Sequence, residues 1–488
     1  MTMLPLVEKL VQALESEGVV YCHWKSNAFV ADAARGVDDL DLLISPASRQ
    51  VFLAVLQRLG FKEACIKKRA DRIPGILDYY GYDKTASRLI HVHAHYKLVL
   101  GQDMTKNYHL PVENAYLESA SPGEFFPLPA PEFEWCVFVV RMMLKHSTWN
   151  AILGRLGKLC DRERQEMEYL QKSVTRERTA QVLSAHLPIL SLGLFDDCVR
   201  SLQPGCPFWT RVRAGERLQK ALRGCRRLPN GMDIWLQFWR RLKMAVRRRL
   251  PGQPPGKRMK NGGMLVAVVG GDGAGKTTVI EGILEWLSAV FVTKKVHLGK
   301  PPWSPLSTLV RGKLKVGRTL GFYPFTRADG GFHDEKNPGP FPGYPTLIRE
   351  ICTARDRYIS YVKARKQADK GVFVICDRFP LPGRILTDGP QIEWMAKAFP
   401  DKRFLGFLGR LEGRYYRSIL RPDLLLVLKV DPETAVVRKT DEDAESVRAR
   451  SKEFWEKDWE GTAVQTIDAK QRKEDVLNRA KDIFWAHI

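Results

Sequence analysis

The sequence has no run of about 18 consecutive apolar residues, the length a bilayer-crossing helix needs, so no transmembrane helix is expected. Its first fifteen residues lack a basic start, an apolar block and a small-residue cleavage site, which argues against a signal peptide. They read instead as an amphipathic helix with Leu4, Val7, Leu10, Val11 and Leu14 on one side. No Cys-x-x-Cys pair occurs. The nine cysteines stand singly between Cys22 and Cys376, an odd set that suits free thiols in a reducing compartment, and the cytoplasm is the expected location. Acids are in short supply, with 55 Asp and Glu against 78 Lys and Arg and a net charge of +23. The imbalance is local: Arg211–Lys260 carries sixteen Lys and Arg but only Glu216 and Asp233. Such a segment is either a solvated basic face or a contact for an anionic surface or polyanion.

What remains is ordinary globular material: 488 residues, 44% hydrophobic and 27% charged, enough for two or three domains. One stretch stands out. Met264–Val269 is an apolar, strand-like run leading into Gly270-Gly271-Asp272-Gly273-Ala274-Gly275-Lys276-Thr277, the pattern G-x-x-x-x-G-K-T, with a helix expected from Thr277 to about Val290. Glycines let backbone N–H groups turn toward phosphate oxygens with no Cβ in the way, and the following helix points its positive end at the same anion. Gly270, Asp272, Gly273, Ala274, Gly275, Lys276, Thr277 and Thr278 are therefore the expected nucleotide-binding residues. Lys276 suits the β- and γ-phosphates, and the Thr277 hydroxyl suits Mg²⁺.

The chain before this loop reads as two stretches and a linker. Residues 1–130 have α+β character. Within them Asp39 and Asp41 lie two apart on a strand, so both carboxylates share a face able to hold a second divalent metal. Leu89–Tyr96 places His91, His93 and His95 on one strand face, either as metal ligands or as a plain polar row. Residues 131–250 read as a helical, basic segment. Glu166–Ser173 is expected to be exposed, and Trp235, Phe238 and Trp239 are expected to pack on a neighbour rather than lie on a membrane. Residues 251–263, rich in Pro, Gly and charge, read as a linker.

From 264 to 488 strands alternate with helices, as a parallel sheet requires. Strands are expected at Met264–Val269, Lys295–Leu298, Val372–Cys376, Leu424–Val430 and Val464–Ile467, with helices including Thr346–Ala368 and Arg472–Trp485. Pro301–Pro345 breaks the pattern and reads as a mobile or acceptor-covering segment. Val372–Cys376 ends in Asp377-Arg378: an acid able to hold Mg²⁺ and an arginine able to grip an anionic acceptor.

The phosphate loop together with Asp377-Arg378-Phe379, Ala354-Arg355-Asp356-Arg357, Pro422-Asp423 through Arg438, and Ile467-Asp468-Ala469 resembles the thymidylate kinase family over about 220 residues. The resemblance implies an acceptor-side role for Arg357 and a lid carrying Arg438, Arg448 and Arg450. His297-Leu298-Gly299-Lys300-Pro301-Pro302 stands where that family has an acidic Pro-Gly loop, which implies a different or larger acceptor. Residues 1–130 more weakly resemble the nucleotidyltransferase superfamily, with His23-Trp24-Lys25-Ser26 in place of its Gly-Ser loop. The expected architecture is thus α/β: a P-loop kinase-type parallel sheet flanked by helices, preceded by a nucleotidyltransferase-like α+β domain and a helical basic segment. The expected chemistry is transfer of the γ-phosphoryl group of ATP, with Mg²⁺, to a small-molecule acceptor. Lys276, Asp377, Arg378 and Arg438 would be the catalytic residues. Two other readings stay open: nucleotidyl transfer through Asp39 and Asp41, or an ATP-gated regulatory module that binds an anionic partner.

Overall fold

A computed structural model describes residues 3–66, 72–146, 159–249, 256–321, 341, 343–381, 389–459, 461 and 463–488. The chain divides into two compact units, Met1–Pro254 and Pro255–Ile488.

In the first unit, strands β1 (Tyr21–His23), β2 (Leu40–Ile44), β3 (Lys62–Cys65), β4 (Ile76–Asp83) and β5 (Arg88–His95) lie in the order β1-β2-β5-β4-β3. β2 and β5 run parallel, and the other neighbouring pairs are antiparallel. Alternation along each strand gives the sheet two different faces. Leu40, Leu42, Ile90, Val92 and Ala94 join a core with helices Pro5–Ser16 and Arg49–Arg58. Leu43 and Cys22 join a second core that runs through helix Pro131–His146 and on to Leu222, taking in the hairpin of β6 (Leu98–Leu100) and β7 (Tyr108–Leu110). The helical residues after Pro131 therefore complete the other side of this sheet.

Two expectations for these helices are corrected. Glu166–Ser173 is not simply exposed: Glu166, Met167 and Leu170 of helix Asp161–Ser173 are buried. The charges on three sides of that stretch conceal a narrow inward stripe at spacing 3 to 4. Trp235, Phe238 and Trp239, expected to be covered, are 59%, 65% and 52% exposed on helix Asn230–Arg249. That helix turns its polar stripe inward, with Asp233 and Gln237 buried and the Gln237 amide donating to Thr105 Oγ1 at 3.4 Å. Ile234, Leu242 and Val246 stay on the outside with the aromatics.

The second unit opens with β8 (Arg258–Met259). Its main sheet comprises β9 (Met264–Gly270), β10 (Thr293–His297), β11 (Phe373–Asp377), β12 (Leu424–Lys429) and β13 (Val464–Asp468). The five strands are parallel, in the order β10-β11-β9-β12-β13. Leu265, Ala267, Val269, Val374 and Cys376 face helix Tyr344–Ala368 through Tyr361, Ala364 and Ala368. On the opposite side Phe373 meets Phe291 and Phe484 edge-on, both at 5.3 Å, which brings in helix Lys473–His487.

Two further expectations change here. Lys257–Gly263, read as linker, already belongs to this unit. The N–H of Lys257 donates to Val290 at 2.9 Å and that of Gly263 to Ala368 at 2.7 Å. The stretch read as mobile, Pro301–Pro345, contains helix Pro305–Thr319, whose Leu314 is buried. Its leucine and valine spacing outweighs the surrounding Gly and Pro, while residues 322–340 lie outside the described residues. Among the described residues no helix is long and apolar enough to cross a membrane.

Candidate functional site: the loop at the centre of the parallel sheet

β9 is the middle strand, and all seven of its residues are buried. The chain leaves its carboxyl end through Gly270 and Gly271 and enters helix Lys276–Ser288 with Gly275 as its left-handed N-cap. Gly273 (φ +70°) and Gly275 (φ +79°) supply backbone angles that a side chain resists. Gly271 is required for another reason: a Cβ there would lie 2.8 Å from Ser451 Cα, because helix Ala444–Trp455 crosses close above. At Gly273 a Cβ would meet the Ala435 carbonyl oxygen at 2.9 Å. The N–H groups of Gly273, Gly275, Lys276, Thr277 and Thr278 have no hydrogen-bond partner among the described residues. Oriented N–H donors at a helix N-terminus form an anion cradle.

Lys276 folds over this cradle. Its ammonium donates to the carbonyls of Gly270 (3.0 Å) and Gly271 (2.7 Å) and stands 4.0 Å from Asp272. Burial pulls its pKa down, and the Asp272 carboxylate opposes that shift. Thr277 is exposed in the first helical turn. β11 runs beside β9 with Asp377 level with Val268, so Asp377 and Arg378 emerge at the same carboxyl edge. Arg378 is exposed and holds φ +55°, an uncommon angle for an arginine and of the kind found at functional sites.

The three arginines expected in a lid each have a partner in the structure. Arg450 pairs with Asp272 of the loop at 2.6 Å and also with Glu442, so its helix already touches the cradle. Arg448 makes a two-pronged contact with Glu433 at 2.8 and 3.0 Å. Arg438 donates to the Ala469 carbonyl at 2.8 Å, bracing the segment after β13. Arg357, expected on the acceptor side, lies next to the segment after β10. Its guanidinium is buried and donates to Leu298 (2.6 Å), to Gly299 (3.1 Å) and to the Tyr416 hydroxyl. Those bonds tie it to the segment after β10, contacts the family pattern alone does not disclose. Two contacts were missed in the sequence. Asp423 accepts from the Leu265 N–H (2.7 Å) and from Arg365 (2.6 Å), fixing the start of β9, and Gly271 is set by Ser451. The Leu265–Asp423 and Gly271–Ser451 contacts join residues more than 150 positions apart and leave no local signal.

The second predicted pair, Asp39 and Asp41, does not converge on one point. β2 and β5 are registered with Asp41 level with His93, so each acid meets its own imidazole. Asp39 contacts His91 Nδ1 at 2.7 Å, and that ring's Nε2 meets Asp78 at 2.9 Å. Asp41 contacts His93 Nδ1 and Lys25 Nζ, both at 2.9 Å.

The parallel five-stranded sheet with this loop at its central strand defines a unit of the P-loop NTPase type. No family model matches the chain. It is similar to an Escherichia coli K12 protein described as an uncharacterized ATP-binding protein, YghR: 28% identical over 222 residues, 44% of this chain and 85% of that protein. A second E. coli K12 protein of the same description, YghS, is 24% identical over 218 residues, covering 44% of this chain and 89% of that protein. The thymidylate kinase of Symbiobacterium thermophilum is 25% identical over 222 residues, 44% of this chain and 88% of that enzyme.

Proposed function

We propose that the second unit is an ATP- and Mg²⁺-dependent phosphotransferase that moves the γ-phosphoryl group of ATP to a small acceptor. The observation that carries this reading is the cradle itself: the N–H groups of Gly273, Gly275, Lys276, Thr277 and Thr278, without partners among the described residues, under a half-buried lysine at the carboxyl edge of the central strand. The similarity to two ATP-binding proteins and a thymidylate kinase supports it. The donor set fits the ligands, since N–H groups and Lys276 match phosphate oxygens, and the Thr277 hydroxyl and Asp377 carboxylate match a hard cation. Mg²⁺ held there would neutralise charge on the phosphates. Lys276 moves from the Gly270 and Gly271 carbonyls to the transferred group, and Arg450 exchanges Asp272 for phosphate. Arg378 holds the acceptor, and Arg438 and Arg448 close over the site. Catalysis is then positioning plus charge neutralisation, with no covalent intermediate. The acceptor differs from thymidylate, because Lys300 and the segment after it replace an acidic loop.

A screen with γ-labelled ATP, Mg²⁺ and a panel of nucleoside monophosphates, sugars, sugar phosphates and polyol phosphates tests this. Transfer of label to one class by wild-type protein is the expected result. ATP binding with no transfer to any of them would favour an ATP-gated regulatory module.

One observation supports a second reading, of where the enzyme works. The outward Trp235, Phe238 and Trp239 sit on helix Asn230–Arg249, whose sequence has six Lys and Arg against the single acid Asp233, a composition that suits a helix lying on an anionic lipid surface. Full-length protein should co-sediment with phosphatidylglycerol-containing vesicles and not with phosphatidylcholine alone. Replacing the three aromatics by serine should weaken that association by roughly tenfold or more. Equal binding to both vesicle types, or to neither, overturns this reading.

A further inference from the structure

The Asp–His row of the first unit ends in a cluster that the kinase reading leaves unused. Its ligand atoms come from two adjacent strands. His93 and His95 are two apart on β5 and share a face, and Asp41 stands opposite His93 on β2. His93 Nδ1 lies 2.9 Å from Asp41 Oδ1, His95 Nε2 lies 3.2 Å from His93 Nδ1, and His95 Nε2 lies 3.7 Å from Asp41 Oδ1. Three donors at 2.0–2.2 Å from one tetrahedral ion stand roughly 3.3–3.5 Å apart, and these three edges bracket that value. His95 is fully buried, its Nδ1 has no hydrogen-bond partner among the described residues, and its ring meets Trp24 edge-on, so its described polar contacts are made by Nε2 toward the cluster.

We propose that Asp41, His93 and His95 form a binding site for a divalent transition metal, with zinc the best fit. Two imidazoles and one carboxylate select a borderline ion over Mg²⁺ or Ca²⁺, which prefer all-oxygen shells. Asp39 is not a ligand, because His91 holds it at 2.7 Å and Asp78 orients that histidine from behind. Lys25 is the resident cation. Its ammonium sits 2.9 Å from the same Asp41 oxygen, and it also lines a cavity of about 310 Å³ shared with Lys106 and Arg162. Metal binding displaces the ammonium from Asp41 into that cavity. Three protein ligands then leave a fourth position open, the pattern of zinc sites that bind a water or a substrate.

Chelator-treated full-length protein titrated with Co²⁺ and with Zn²⁺ tests this. The expected result is one equivalent bound, with the intense visible absorption of four-coordinate cobalt and without the cobalt–thiolate band that the nine cysteines would give. His93→Gln should weaken binding by about 100-fold or more. Lys25→Met, which removes the competing charge at a half-exposed position, should tighten it several-fold. Asp39→Asn should leave it unchanged, whereas a site built on the Asp39–Asp41 pair would lose affinity. Binding that is insensitive to His93→Gln and Lys25→Met alike, or that Mg²⁺ competes away at equal concentration, overturns the proposal.

Discussion

Replacing Lys276 by alanine should lower ATP-dependent phosphoryl transfer by about 10³-fold or more and leave the second unit folded. The scale follows from removing a donor aimed at charge that develops in the transition state, in a site where water is scarce. Lys276 is half-buried, and its ammonium contacts only the loop: the carbonyls of Gly270 and Gly271 at 3.0 and 2.7 Å and Asp272 at 4.0 Å. Burial disfavours its charge, so losing it costs little stability. The loop keeps its shape through Gly273, Gly275 and the close approach of Ser451, none of which involves the lysine. Label transfer and thermal unfolding, measured on the same preparations, separate the two effects. Transfer within tenfold of wild type would remove the loop from the chemistry. Loss of both transfer and folding would show that the lysine is structural.

The C-terminal sheet was legible because its signals are local. Five apolar runs bounded by turn formers gave five strands, each within two residues of the observed limits, such as Leu424–Lys429 and Val464–Asp468. The loop announced itself by glycine spacing, since the backbone angles at Gly273 and Gly275 demand that residue. What could not be read were properties set by a partner distant in sequence. Arg357 carries the same charge wherever it points, and only the fold reveals that the Leu298 and Gly299 carbonyls accept from it. The Asp39–Asp41 spacing puts both acids on one strand face, but only the parallel register of β2 with β5 decides that each meets its own histidine. Helix Asn230–Arg249 inverted a general rule. Apolar residues usually pack inward, yet here the aromatics face out and Asp233 and Gln237 turn inward.

Glu166 was the deepest misreading, and its partners carry the largest expected effect on stability. Arg141→Met should destabilise the first unit by about 3–5 kcal/mol, the usual consequence of leaving a buried charge without its partner. Arg141 pairs with Glu166 Oε1 at 2.7 Å, and that oxygen also accepts from the Ser26 N–H at 3.0 Å. Glu134, on the same helix as Arg141, accepts from the N–H and the amide of Asn27 at 3.2 and 2.9 Å. Together these bonds hold Ser26 at φ +58°, on the turn that carries Lys25 toward Asp41. Burial pushes the Glu134 carboxyl up to about 7 and the Glu166 charge adds to this, while Asn27 and Arg141 bring it down. Its folded pKa lies above the unfolded value, so its contribution to stability is fully present below the unfolded pKa and is lost as pH rises through about 7. Removing Arg141 raises that pKa further, so the deficit of the variant should be larger near pH 8 than near pH 6. Methionine keeps most of the volume, which confines the loss to charge and hydrogen bonding. A fall of roughly 10 °C in the melting transition of the first unit is expected near pH 8, recovering in part near pH 6. A loss below about 1 kcal/mol, independent of pH, would mean that Glu134 and Glu166 are satisfied without the arginine.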